Sequence, residues 1–198
     1  MNYAESLYQK IWKTKGTRFI AHKRLEILNQ FSIYAISLNS IYVIILSLLS
    51  MSHFNKYSKL NPDFLSIITL FLSILIIVIS IIESSKNYKA KAESHHQCGK
   101  DLNKIYERLI QIKSSYDTDS NSKAEIDKLG LDYQSIIDKY PENHSSIDFK
   151  KFLIINKIDP YKNYSNFNLL IIWFELYIPI LATIIIPLFI IIFCVIKL

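Results

Sequence analysis

The chain has 198 residues and a mass of 23.2 kDa, room for one domain or for a membrane hairpin with a modest water-facing part. Hydrophobic residues make up 51% and mean hydropathy is +0.20, yet 20% of residues are charged, because three long stretches almost free of charge alternate with polar ones. That segregation excludes an ordinary water-soluble enzyme and a disordered chain. The isolated Gly16, Gly99 and Gly130 cannot build a Gly-rich phosphate cradle, and Cys98 with Cys194 is no disulfide scaffold.

In chain order, a polar N-terminal segment of about 30 residues, carrying Tyr8, Ile11, Trp12, Phe19, Leu25 and Leu28, leads into an apolar stretch from Phe31 to Met51. A second stretch runs from Phe64 to Ile82, and neither contains a charge. A helix of about 20 residues crosses a hydrocarbon core of roughly 30 Å, so both are read as spans. The first starts too late in the chain and is too long for a cleaved signal peptide. A third stretch, Leu169 to Ile196, holds Glu175, Pro179 and Pro187. It is read as an interfacial entry, Leu169–Leu176, followed by a span, Tyr177–Ile196, with Trp173 and Tyr177 at headgroup depth. The two prolines require neighbouring groups to recover the carbonyls they free.

Lys13, Lys15, Arg18, Lys23 and Arg24 precede the first span and Lys86, Lys89, Lys91 and Lys100 follow the second, while the loop Ser52–Asp63 has only Lys56 and Lys59. The N-terminus and central region are therefore expected in the cytoplasm and the C-terminus outside. Residues 1–30 carry six basic and two acidic groups, and residues 83–168 carry fourteen and thirteen. The basic excess suits anionic headgroups, and no direct nucleic-acid binding is expected. Residues 1–30 are read as a cytoplasmic N-terminal helix, 31–82 as a transmembrane hairpin, 83–168 as a cytoplasmic helical region, and 169–198 as an interfacial segment and third transmembrane helix. The fold class expected is an all-α integral membrane protein: a two-helix hairpin plus a C-terminal third transmembrane helix, with a cytoplasmic helical bundle.

The second span reads as continuing without a break to about Lys113. Tyr88, His95, Leu102 and Leu109 fall seven apart with Cys98, Ile105 and Ile112 interleaved, a seam that needs a partner helix. The N-terminal segment or another copy of the chain would supply it. Ser114–Ser122 reads as a polar loop, and Ser122 with Glu125 as a capping pair opening a helix that Pro141 ends. Ser145 with Asp148 is a second capping pair, opening a helix over about Ser146 to Lys157, and Asp159-Pro160 breaks it.

No catalytic set is found, so no enzyme and no cofactor is expected. His95, His96 and Cys98 resemble a metal cluster only if the distant His22 or His144 completes it, and packing beside the inner leaflet is the simpler reading, with no metal expected. The informative pattern lies within the spans. Ser66, Thr69, Ser73, Ser80 and Ser84 fall within about 60° of one another on the second, and Ser32, Asn39, Ser40, Ser47 and Ser50 form a looser stripe on the first. Such stripes serve either helix packing or the lining of a pore in an oligomer. Asn39 is deep and expected to pair with another helix, while Glu175 sits at the interface.

Several segments resemble one family: Thr17-Arg18-Phe19-Ile20-Ala21-His22-Lys23-Arg24-Leu25; Glu83-Ser84-Ser85-Lys86-Asn87-Tyr88; Ala90, Ala92-Glu93, His96-Gln97-Cys98 and Leu102-Asn103; and Tyr140-Pro141-Glu142-Asn143-His144 with Ile147-Asp148-Phe149. Across about residues 8–153 the chain resembles SLATT-domain proteins, the two-span family of bacterial conflict systems, and most closely the subgroup found beside reverse transcriptases or nucleotide-signalling enzymes. The resemblance implies an antiphage effector of the inner membrane that oligomerises and opens a pore or perturbs the bilayer when such a partner enzyme signals. The third span lies beyond the common two-span core. Glu83, Asn87 and Tyr88, with His95 and Leu102 of the seam, are the candidate gating or assembly residues. The competing expectation is a non-conducting membrane anchor or sensor that recruits a cytosolic defence enzyme.

Overall fold

The structure is a computed structural model describing residues 3–50, 62–113, 120–162, 164 and 166–196. Six helices follow one another: α1 Tyr3–Ser50, α2 Pro62–Ser85, α3 Tyr88–Lys113, α4 Ser120–Lys139, α5 Ser146–Ile155 and α6 Asn166–Ile196. The described residues contain no strand. The chain is an all-α protein with three helices long and apolar enough to cross a membrane. It divides into two compact units, Met1–Glu26 with Tyr88–Ile172 and Ile27–Asn87 with Trp173–Leu198.

The first unit is a helical bundle. Ala4, Leu7 and Ile11 of α1 meet Cys98, Leu102, Ile105 and Leu109 of α3 and Ile126, Leu129 and Tyr133 of α4 in one buried cluster. The heptad seam therefore finds its partner in the N-terminal segment of the same chain. Polar contacts rim this core: Tyr106 donates to the Tyr8 hydroxyl at 2.8 Å, and Lys15 donates to Asn103 Oδ1 at 2.9 Å while its ammonium lies 3.6 Å from the Tyr106 ring centroid. Burial raises the Cys98 thiol pKa, which leaves it an inert core residue. α5 carries the capping box expected of Ser145 and Asp148. Its Phe152 stands edge-on to Trp12, ring centroids 5.0 Å apart, and lies directly over Gly16.

In the second unit Leu46 of α1 packs with Leu65 and Leu72 of α2, flanked by Tyr42, Val43 and Ile68. The opposite surface of α2 is bare and apolar, with Ile67, Phe71 and Ile81 each more than 60% exposed. Large aliphatic and aromatic side chains in that state call for lipid as their solvent. Phe31 and Tyr177 bring α6 to α1, ring centroids 5.4 Å apart.

Two expectations need correction. The second span does not continue unbroken to residue 113: α2 ends at Ser85 and α3 begins at Tyr88. Asn87 adopts a left-handed backbone, φ 53°, with its N–H and that of Lys86 closing tight turns onto Ser84 and Glu83. Asn is the residue after glycine that best tolerates this conformation, which is how helices stop. The capping pair Ser122 and Glu125 does not open α4, which already includes Ser120 and Asn121. Neither residue excludes helical backbone, so Ser122 sits in the first turn and Glu125 in the second. The rest of that loop, residues 114–119, and the loop 51–61 with Lys56 and Lys59 lie outside the described residues.

A Cβ on Gly16 would fall 2.1 Å from a Phe152 ring carbon. Ala at a helical position otherwise gains about 1 kcal/mol over Gly. Thermal unfolding of the full chain in micelles should show Gly16→Ala destabilising by about 1–3 kcal/mol. The same change in a Phe152→Ala background should reverse sign and stabilise.

Candidate functional site

Two polar contacts join helices within the membrane unit. Pro187 has no N–H to give the carbonyl four residues earlier, that of Thr183. Asn39 of α1, 2% exposed, donates from Nδ2 to that carbonyl at 3.0 Å. The deep asparagine therefore replaces the hydrogen bond that the proline removed. Nearer the end of α2, Ser32 donates to the Glu83 carboxylate, which also pairs with Lys86 at 2.5 Å. The looser stripe on α1 is not brought together: Ser32 and Asn39 are buried, Ser40 is exposed and donates to Ile36 O, and Ser47 is half-buried. Glu175 is exposed on α6.

The stripe on α2 lies beside the packing face. Ser66, Thr69 and Ser73 each follow by one residue the inward-turned Leu65, Ile68 and Leu72, about 100° further round the helix. Thr69 and Ser73 donate to their own helix, to Leu65 O and Thr69 O, each at 2.8 Å. Ser66 and Ser84 are exposed, and Thr69, Ser73 and Ser80 are half-buried. Of the other candidates, Asn87 is exposed at the α2–α3 break, Tyr88 is half-buried at the start of α3, and Leu102 is fully buried in the bundle core.

His95 occupies a second polar centre, in the bundle. Arg18 of α1, 3% exposed, donates from one terminal nitrogen to His95 Nδ1 at 3.0 Å and to the Glu142 carbonyl. A guanidinium cannot accept, so His95 Nδ1 is the bare nitrogen and its proton rides on Nε2. Arg24, one face along, makes a two-pronged pair with Asp148, Nε to Oδ1 at 2.7 Å and a terminal nitrogen to Oδ2 at 2.9 Å. Asp148 is itself 1% exposed and accepts from Ser145 N at the start of α5. His22 donates from Nδ1 to Ala92 O at 3.1 Å and stacks on His96, ring centroids 4.5 Å apart. Burial, then the nearby Arg18, pushes the His95 pKa down to about 4 and the His144 pKa down as well. Three segments distant in sequence, around Arg18 to Arg24, His95 to Cys98 and Tyr140 to Asp148, thus converge on one cationic cluster.

Among the described residues no three His, Cys, Asp or Glu side chains are placed to hold a metal ion. His95 is engaged by Arg18, His96 by His22, and Cys98 by the apolar core. A depression of about 440 Å³ on α4 is lined by Asn121, Glu125, Lys128 and Asp132, with Ala124 and Leu129, and contains neither nucleophile nor histidine.

A helical bundle joined in one chain to apolar helices that leave most of their surface uncovered defines a multi-pass membrane protein. The model of the SMODS and SLOG-associating 2TM effector domain family 5 matches residues 1–197, and the chain belongs to that family. The match takes in α6, so the third apolar helix lies inside the region the family model covers and not beyond it. The family is one of membrane effector domains of conflict systems and is not a known catalytic one. Searches among curated proteins and among solved structures returned no match.

Sequence reasoning missed Thr183, Arg24 with Asp148, and Arg18 as a centre. Thr183 was within reach, since any carbonyl four residues before a helical proline needs a donor. The Arg–Asp pair spans 124 residues between α1 and α5 and has no local signal.

Two outcomes follow from these contacts. Asn39→Leu should destabilise the membrane unit by about 1 kcal/mol in equilibrium unfolding from micelles. In a Pro187→Ala background, where the backbone N–H returns, the same substitution should cost measurably less, and additive effects would rule out the capping role. For the bundle, His95 and His144 face Arg18, Arg24 and Asp148, and both titrate below their unfolded value near 6.5. Stability is present above pH 6.5 and is lost as pH falls from there, because the unfolded chain takes up protons that the folded bundle refuses, for His95 down to about 4 at up to about 1.4 kcal/mol per pH unit, and for the half-buried His144 in the same direction with a smaller slope. Unfolding midpoints measured across this range should show that slope, and His95→Gln should flatten it.

Proposed function

We propose that the protein is an antiphage effector of the bacterial inner membrane, N-terminus in the cytoplasm and C-terminus outside, that oligomerises through α2 and opens a pore or perturbs the bilayer when a partner enzyme signals. The observation that carries this is the position of the hydroxyl flank. Ser66, Thr69 and Ser73 run along α2 beside the apolar contact that Leu65, Ile68 and Leu72 make with α1, Ser66 exposed and Thr69 and Ser73 half-buried, and Ser80 and Ser84 continue the row. A row of small polar side chains at the edge of the chain's own packing is suited to close approach of a second copy or to facing water. The membrane effector family supports the same reading. The partner fits the class of reverse transcriptases or nucleotide-signal-producing enzymes encoded nearby. The bundle, whose seam α1 fills, holds the assembly at rest, and Glu83, Asn87 and Tyr88 lie where the chain passes from span to bundle. The protein carries out no catalysis of its own.

Induced expression with the neighbouring genes and phage present should collapse membrane potential, read with a voltage-sensitive dye, and arrest growth. Ser73→Leu and Ser80→Leu should reduce both while membrane insertion stays intact. Unchanged potential in the wild type would favour the non-conducting anchor, in which the bundle recruits a cytosolic enzyme and an unrelated hairpin can replace the spans.

A further inference from the structure

The Arg18 centre is built for a charge it does not contain. Arg18 is 3% exposed, yet among the described residues no carboxylate pairs with it: its partners are a neutral imidazole and a backbone carbonyl. Among the described residues Arg18 Nε, buried, finds no hydrogen-bond partner, and neither does the buried Nδ1 of His144. Asp148, the carboxylate at the start of α5, has both oxygens engaged by Arg24 and accepts from Ser145 N as well. The first turn of α5, whose backbone N–H groups are the positive end of that helix, starts at Ser146 beside this cluster. Asp148 thus answers Arg24 and the first turn of α5, and leaves Arg18 to an imidazole and a carbonyl. A buried cation without an anion is among the most costly arrangements a fold can hold.

We propose that Arg18 Nε and His144 Nδ1 form a binding site for a phosphate-type oxyanion, closed over by residues 141–144. A tetrahedral oxyanion accepts several donors at once and matches the forked geometry of guanidinium. The Glu142 carbonyl that now accepts from Arg18 is the group such a ligand displaces, lifting the connector between α4 and α5. Pro141 and Asn143 in that connector are exposed, so it can move without uncovering the apolar core. The same chemistry is offered by a free phosphate ester and by an anionic lipid headgroup. The site is independent of whether the assembled protein conducts.

The test uses the full chain in phosphatidylcholine nanodiscs, titrated with pyrophosphate and, at matched ionic strength, with sodium chloride. Saturable one-to-one heat with pyrophosphate alone, weakened roughly tenfold or more in Arg18→Gln and in His144→Leu, is the expected result for a soluble ligand. If instead pyrophosphate gives no heat but phosphatidylglycerol in the discs raises the unfolding midpoint, and both substitutions abolish that rise, the headgroup is the source and the site stands. Binding that neither substitution weakens, a response that chloride reproduces, or no response in either arm overturns it. Should Arg18→Gln fail to fold, His144→Leu decides alone.

Discussion

Hydrocarbon offers a freed carbonyl no water, and the membrane unit depends on meeting that condition from within. Pro187 strips Thr183 of its helical donor, and Asn39 supplies a side-chain N–H in its place. Each feature alone is a liability: an asparagine deep in a span lacks a partner, and a proline in mid-helix leaves an acceptor open. Together the Asn39 amide N–H and the Thr183 carbonyl satisfy one another, and the match holds only in the register that puts Asn39 opposite Thr183. The pair thus specifies how α1 and α6 meet in a region where Ile and Leu on every side would accept many registers equally well. The link from Ser32 to Glu83 does the same between α1 and α2.

The bundle faces the same accounting in water and closes it differently. Around Arg24 the balance is complete, with Asp148 answering both the guanidinium and the first turn of α5. Around Arg18 it is open, and the two neighbouring histidines have lowered pKa values chiefly because they are buried and then because a proton on either would add to the Arg18 charge. Two arginines six residues apart on one helix therefore have opposite roles: Arg24 fixes α5 to α1, while Arg18 is held in place by a carbonyl and a neutral ring, both weak partners for a full charge.

Much of this was legible in the sequence wherever a rule is local. The spans followed from hydropathy, the start of α5 from Ser145 and Asp148, and the buried face of α3 from His95, Cys98, Leu102, Ile105 and Leu109, because periodicity within one helix fixes which side turns inward. The α2–α3 break was not, since an Asn among polar residues is compatible with helix until the turn at its own backbone is known. Nor were the groups that meet across the chain. Arg18 reads in sequence as one more positive charge before a span, and only the fold buries it. The apparent stripe on α1 failed for a related reason: hydroxyl spacing gives an angle on one helix, whereas burial is decided by where the neighbouring helices lie, and those take Ser32 and Asn39 but leave Ser40.

The closed seam also redirects the question of assembly. A heptad face with an unpaired register would have been the obvious place for a second copy to dock. In this chain α1 fills it, with Ala4, Leu7 and Ile11 seated among Cys98, Leu102, Ile105 and Leu109. A copy that used the same face would first have to displace a segment that is covalently present, and hence at a high effective concentration, which disfavours exchange. In the proposed oligomer, contacts between copies are then left to surfaces the fold does not consume, and in lipid a purely apolar surface has no preference for protein over acyl chains. The face of α2 that carries hydroxyls differs from lipid in chemistry and in the depth of approach its small side chains allow. That difference, more than any strength of attraction, makes it the surface on which the effector reading turns.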